Sequence, residues 1–212
     1  MRGLAASTVQ PRGPVAETIA DLWWLMLGLG VAVFLVFAAL LMRGLLRRRP
    51  DADEAESDST LTRPWVMWGG AVMPAIVLVV VFGATVLAMR ATPNTAGGDA
   101  LEVEVVARQW RFEVHYPAEG IANAGELHLP VGRPVRLKLT SVDVIHSFWV
   151  PELAGKTDML PDRTNTLVLR ADRPGRYFAR CAEFCGLHHA EMTLPVVAES
   201  PEQFAAWVAA RR

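Results

Sequence analysis

Near the C-terminus the chain reads Cys181-Ala-Glu-Phe-Cys185-Gly-Leu-His188-His189-Ala-Glu-Met192, and these are its only two cysteines. Two thiols, an imidazole and a thioether within twelve residues are a soft ligand set, suited to copper and not to the oxygen-seeking magnesium, calcium or manganese. The run Cys185-x3-His189-x2-Met192 has the form of a mononuclear blue copper loop, in which Cys and His bind strongly and Met lies axial. Cys181, four residues upstream, is one thiol more than such a site needs. Two other readings of the pair stand beside copper. Outside the cytoplasm two thiols can oxidise to a disulfide, and two Cys with two His can hold structural zinc. Neither uses Met192 or the Glu between the thiols.

A centre with two bridging thiolates needs a further strong ligand for each metal, so a second histidine must come from elsewhere. His146 lies in Ser141-Val-Asp-Val-Ile-His-Ser-Phe-Trp-Val-Pro151, at the end of an apolar strand that can meet a late loop in a sandwich. His115 and His128 alternate with apolar strand residues and read as solvated or hydrogen-bonded.

The elements that must position these groups fall into two parts. Leu22 to Met42 and Trp65 to Met89 are apolar and uncharged, each about the 20 residues a helix needs to cross a bilayer. The first run starts too far in, and is too long, for the core of a cleaved signal peptide. Arg43, Arg47, Arg48 and Arg49 follow the first span in a short loop, which positive charge keeps cytoplasmic; the acidic stretch from Asp51 to Asp58 has little weight in that rule. Trp23, Trp24, Trp65 and Trp68 stand at span ends as interfacial anchors. Pro74 predicts a kink that neighbouring helices tolerate.

After Arg90 the composition turns to a Pro/Gly/Asn-containing linker, and beyond it the hydrophobic period drops to two. Leu101, Val103 and Val105 alternate with Glu102 and Glu104, and Val135, Leu137 and Leu139 with Arg136 and Lys138; both read as half-buried strands. Leu167 and Leu169, Tyr177, and Leu194 to Val197 supply further short strands, parted by turns such as Asp172-Arg-Pro-Gly175. Ser200-Pro201-Glu202-Gln203 predicts a capped helix presenting Phe204, Trp207 and Val208 on one side. The expected segments are an extracytoplasmic N-terminus (1–21), spans at 22–42 and 65–89, a cytoplasmic loop (43–64), a linker (90–100), a β-sandwich (101–200) and a final helix (201–212). A net charge of −1 without a basic stripe excludes nucleic acid as a partner. No Cys-x-x-Cys-His follows, so the sequence carries no c-type haem motif.

Asp143-Val-Ile-His-Ser-Phe-Trp-Val-Pro151, Gly155-Lys-Thr-Asp158 and Cys181-x-Glu-x-Cys185-x3-His189-x2-Met192 together resemble subunit II of haem-copper cytochrome c oxidase, and the likeness runs from the hairpin to the final helix. It implies a two-helix transmembrane hairpin and an all-β, cupredoxin-like Greek-key sandwich with a short C-terminal helix. It further implies a dinuclear copper (CuA) centre held by His146, Cys181, Cys185, His189 and Met192, with the Glu183 carbonyl approaching one copper. His188 falls out of register. The Glu183 carboxylate would help hold magnesium or manganese shared with subunit I, and Trp110 would be the point where electrons enter.

The same resemblance implies transfer of electrons from cytochrome c to haem in subunit I, for reduction of O2 to water coupled to proton translocation. The other oxidase subunits and the lipid bilayer would be partners. The setting would be a bacterial inner membrane, crossed twice, with both termini and the copper domain periplasmic. Two features depart from the family. Arg108 and Arg111 flank Trp110 where histidine and an aromatic are usual, and no carboxylate occurs between Leu61 and Arg90 where many relatives carry one for proton uptake. The alternatives are a membrane-anchored cupredoxin for copper storage or delivery, for which no Met- or His-rich tract is present, and the CuA subunit of a nitric oxide reductase. A quinol-oxidising subunit would lack the two thiols.

Overall fold

The computed structural model describes residues 9–47, 64–91, 100–122 and 124–211. Arg48, Arg49, the acidic stretch and most of the linker, 92–99, lie outside the described residues. Two units emerge, one of residues 21–90 and one of residues 1–20 with 91–212.

The first unit is helical. Helix α1 spans Pro14–Leu46, starting with a proline, whose missing N–H costs nothing at the first helical position. It is longer than the expected span at both ends. The second apolar helix runs Pro64–Ala91, and neither apolar window is buried among the described residues. Within it Trp68–Val72 forms a π-turn, closed by the Met73 N–H on the Trp68 carbonyl, before α2 continues as Met73–Ala91. Pro74 has no N–H to donate and its ring crowds the carbonyl four residues back. A widened turn just ahead of it is a known way to absorb that conflict inside a helix.

The second unit is a sandwich of two sheets with strand orders β2-β1-β4-β7 and β3-β9-β8-β5-β6. The first sheet contains β1 (Leu101–Arg108), β2 (Arg111–His115), β4 (Val135–Ser141) and β7 (Asn165–Leu169). The second contains β3 (Leu127–Pro130), β5 (His146–Trp149), β6 (Thr157–Met159), β8 (Gly175–Cys181) and β9 (Thr193–Glu199). The pairs β1–β4 and β3–β9 are parallel, and the neighbours out of chain order mark the crossovers expected of a Greek key. The alternation read in the sequence is the inside–outside alternation of the structure. Leu101, Val103, Val105 and Ala107 face the core from β1, and Leu194, Val196 and Ala198 of β9 and Phe148 of β5 belong to the same buried cluster.

Helix α3 (Pro201–Arg211) closes the chain. Its capping box forms as expected: the Gln203 N–H donates to Ser200 Oγ at 3.3 Å and the Ser200 N–H to Gln203 Oε1 at 3.1 Å. Phe204 is buried, and Trp207 and Val208 pack at the core's margin. His128, wedged between Glu199 and Glu126 at 2.8 and 3.3 Å, stacks on Trp207; it is satisfied by hydrogen bonds and is not solvated.

One contact has no counterpart in the sequence reading. The segment entering α1 lies against the sandwich: the Arg12 N–H donates to the Glu152 carbonyl at 2.7 Å and the Arg12 carbonyl accepts from the Asp172 N–H at 2.8 Å. Ala16 and Ala20 are buried there. The first turns of the helix expected to begin at residue 22 thus belong to the sandwich unit.

Candidate metal centre

Cys181 is the last residue of β8, on the inward face shared with Tyr177 and Ala179. Its neighbour β5 pairs Phe148 with Cys181, so His146, two residues from Phe148 and on the same face, is brought beside the thiol. His146 opens β5 after a turn at 142–145; the expectation had it closing an apolar strand. The ligand loop then returns into β9 through the Cys181 N–H on the Met192 carbonyl at 3.0 Å, which sets Met192 under the loop. A 3-10 turn, His189–Glu191, lifts His189 back toward Cys185. Gly186 sits at φ 118°, and a side chain there would press on Gln109 and Trp110.

Five side chains converge. The two sulfurs are 3.7 Å apart and the cysteines are free, so they do not form the disulfide, whose bond length is about 2.05 Å. Cys181 Sγ lies 3.8 Å from His146 Nδ1 and 3.2 Å from the Glu183 carbonyl. Cys185 Sγ lies 3.6 Å from His189 Nδ1 and 3.9 Å from Met192 Sδ. His146 is fully buried, and Cys181, Cys185 and Met192 are nearly so. Burial first, and then the neighbouring Cys181 thiol, push the Cys185 thiol up to about 12, so a metal must displace its proton to bind.

The donor set fits copper better than zinc. Tetrahedral zinc would be complete with two thiolates and two imidazoles, yet the thioether of Met192 is buried and turned onto Cys185. Thioether sulfur is a ligand for copper.

Two residues to which the sequence reading gave no role support the cluster. Asp143 Oδ1 accepts from His146 Nε2 at 2.9 Å, which fixes that nitrogen as the N–H and leaves Nδ1 free to face the sulfur. Burial would raise the Asp143 carboxyl, but hydrogen bonds from the Gln109 N–H, His146 and the Val144 N–H outweigh it and hold it at about 2. Gln109 also donates from Nε2 to the Cys185 carbonyl at 2.8 Å. The signal for Asp143 was its place three before His146; Gln109 is 76 residues from Cys185 and had none.

The remaining expected residues fall as follows. Trp110 donates its indole N–H to the same Cys185 carbonyl at 3.2 Å and meets His188 edge-on at 4.7 Å. His188 is half-exposed, with Glu191 at 3.2 Å. The Glu183 carboxylate is half-exposed and paired with Lys156 at 3.1 Å.

Comparison with known proteins agrees with this architecture. A family profile described as cytochrome c oxidase subunit II, periplasmic domain, matches residues 118–200. Cytochrome c oxidase subunit 2 of Alkalihalophilus pseudofirmus is 32% identical over 95% of this chain and 61% of its own length. Quinol oxidase subunit 2 of Bacillus cereus is also 32% identical, over 95% of this chain and 72% of its own. Among solved structures, the periplasmic domain of subunit II of cytochrome oxidase from Bradyrhizobium japonicum superposes with a TM-score of 0.51 at 26% identity, over 57% of this chain and 96% of that one. The chain thus spans about three fifths of the length of the Alkalihalophilus relative. On these similarities the chain belongs to the subunit 2 family of the cytochrome c and quinol oxidases.

Proposed function

We propose that this chain is the electron-accepting subunit of a bacterial cytochrome c oxidase, holding a dinuclear copper centre through His146, Cys181, Cys185, His189, Met192 and the Glu183 carbonyl. The observation that carries this reading is the pairing of ligands. Each sulfur has its own imidazole Nδ1, at 3.8 Å for Cys181 and 3.6 Å for Cys185, and the sulfurs face each other at 3.7 Å. When bound, the copper pair supplies a one-electron centre whose charge change is shared between two metals.

The residues of the chain do the rest. Asp143 orients His146, as carboxylates commonly orient metal-binding imidazoles. The sandwich excludes water from both sulfurs and from Met192. Trp110, bonded to the carbonyl of a ligand residue, is the aromatic bridge from the surface for an electron given by cytochrome c. Glu183, half-exposed and paired with Lys156, would hold a magnesium or manganese ion shared with subunit I, whose haem would take the electron for reduction of O2. The packing of residues 12–20 on the sandwich supports one side of the membrane for the N-terminus and the copper domain. Arg43 and Arg47, after the first span, support the periplasm as that side.

Relatives named quinol oxidase subunit 2 raise a second reading, in which no copper is needed. Two buried thiols, a buried thioether and two imidazoles, that of His146 buried and that of His189 half-buried, have no use in that reading, and they favour a metal-borne electron. The test is electron paramagnetic resonance of the full chain, purified in detergent and loaded with copper. Hyperfine coupling shared by two equivalent copper nuclei is expected. A one-copper signal, or a colourless zinc form under the same loading, refutes the reading. Cys181→Ser removes the shared signal.

A further inference from the structure

The two proposed thiol ligands are held by different means. Cys181 ends β8, with its N–H on the Met192 carbonyl at 3.0 Å and Phe148 of β5 as its register partner, so the second sheet sets its place. Cys185 lies outside any strand and is followed by Gly186 at φ 118°. Glycine leaves the peptide between them wide rotational freedom, and a turn of that peptide carries the thiol with it.

The peptide is gripped from the first sheet. Arg108 pairs with Arg111, so Gln109 and Trp110 form the two-residue turn between β1 and β2. Gln109 Nε2 donates to the Cys185 carbonyl at 2.8 Å, and the Trp110 indole N–H donates to the same oxygen at 3.2 Å. Both reach it through the gap that Gly186 leaves: a Cβ there would stand 3.2 Å from Gln109 Nε2 and 3.3 Å from Trp110 Nε1. A carbonyl oxygen only accepts, which fixes the end of the Gln109 amide that faces it. The Gln109 backbone N–H meanwhile donates to Asp143 Oδ2 at 2.8 Å, and Asp143 Oδ1 accepts from His146 Nε2. One residue thus reaches the His146 arm of the cluster through its main chain and the Cys185 arm through its side chain.

We propose that Gln109 is a positioning residue for electron transfer. Its side-chain amide fixes Cys185 against the Cys181–His146 half, and so sets how the electron is shared between the two coppers and at what potential. This rests on the reading of the cluster as a dinuclear copper centre. A donor on the carbonyl of a ligand residue draws electron density from it and favours the reduced metal pair, and hydrogen bonds around copper ligands are an established lever on potential. Substitution separates the two arms, because the bond to Asp143 is made by the main chain and survives a change of side chain.

The test uses the full chain in detergent, loaded with copper. A parent chain without the dinuclear signal overturns the copper reading and this proposal with it; on a parent that shows the signal, the variants judge Gln109 alone. Gln109→Met keeps the length and removes the donor, while Gln109→Glu sets an acceptor against the carbonyl oxygen. Each is read by the hyperfine couplings of the cysteine β-protons and by redox titration. The Cys185 couplings are expected to shift while those of Cys181 hold. The reduction potential is expected to fall, further in Gln109→Glu than in Gln109→Met, and copper release to a chelator to quicken by about tenfold. Should Gln109→Met fail to fold, Gln109→Asn, whose amide stops one methylene short, takes its place with the same expected shifts. Couplings and a potential equal to the parent's overturn the proposal. Equal shifts at both cysteines overturn it too, since they would mark a general loosening of the site.

Discussion

Asp143 links the two ligand-bearing loops: its Oδ1 accepts from His146 Nε2 at 2.9 Å while its Oδ2 accepts the Gln109 N–H at 2.8 Å, and the Gln109 side chain in turn donates to the Cys185 carbonyl at 2.8 Å. Partners of this kind fix a ligand's tautomer and typically contribute about 10–100-fold in metal affinity. Asp143→Ala is therefore expected to lower copper affinity by roughly that factor, read by competition with a chelator. Unchanged affinity would mean that the bond orients nothing.

Met192 is 1% exposed and its sulfur lies 3.9 Å from that of Cys185. Met192→Leu conserves volume, so the fold should lose less than about 1.5 kcal/mol. Removal of a weak axial ligand is expected to shift the reduction potential while the dinuclear signal persists. A redox titration identical to that of the parent chain would exclude Met192 from the ligand set.

Tyr116, fully buried, exchanges two hydrogen bonds with the His128 backbone, at 2.9 and 2.6 Å. Burial raises its phenol above the ordinary 10.0, partly offset by the bond to His128. Folding thus favours the neutral phenol. The stability it contributes is complete below pH 10 and falls as pH rises beyond that value, when the unfolded chain ionises first. Tyr116→Phe should cost about 1–3 kcal/mol at neutral pH, by stranding the His128 N–H and carbonyl, and should flatten the alkaline limb. Denaturation midpoints measured from pH 7 to 11 check both; an alkaline limb that survives in the variant would place the titration elsewhere.

Gly13 lies where a Cβ would collide with the carbonyl oxygens of Arg170 and Leu153. Backbone oxygens cannot swing aside as a side chain does. Gly13→Val is expected to detach the segment before α1, exposing the Arg12–Glu152 and Arg12–Asp172 bonds to exchange with solvent. Amide protection at Asp172, whose N–H donates to the Arg12 carbonyl, reports this directly; protection equal to the parent's would show that the segment docks by other contacts.

Which parts of the site were legible follows from how local each signal is. The cysteine loop holds four proposed ligand side chains in twelve residues, and soft donor types at such spacing constrain chemistry without any fold. His146 needed more. Its selection over His115 and His128 rested on its place at a strand end, and its meeting with Cys181 depends on the pairing of β5 with β8, which no local pattern encodes. Asp143 was in plain view but without a role, because its meaning depends on where the His146 ring turns. Gln109 and Gly13 were silent, since both act on backbone carbonyls contributed from far along the chain.

The start of α1 shows the same division. Apolar length marked a span but could not mark where the membrane segment ends and packing on the sandwich begins, because Ala16 and Ala20 are as compatible with lipid as with protein. The sequence by itself determined the chemistry available, two long apolar helices, and alternating strands, for these follow from residue type and short-range periodicity. Only the tertiary structure decided which histidine faces which sulfur and what holds the His146 ring in place. Those are consequences of strand order and register, and they are fixed by contacts between segments separated by tens of residues.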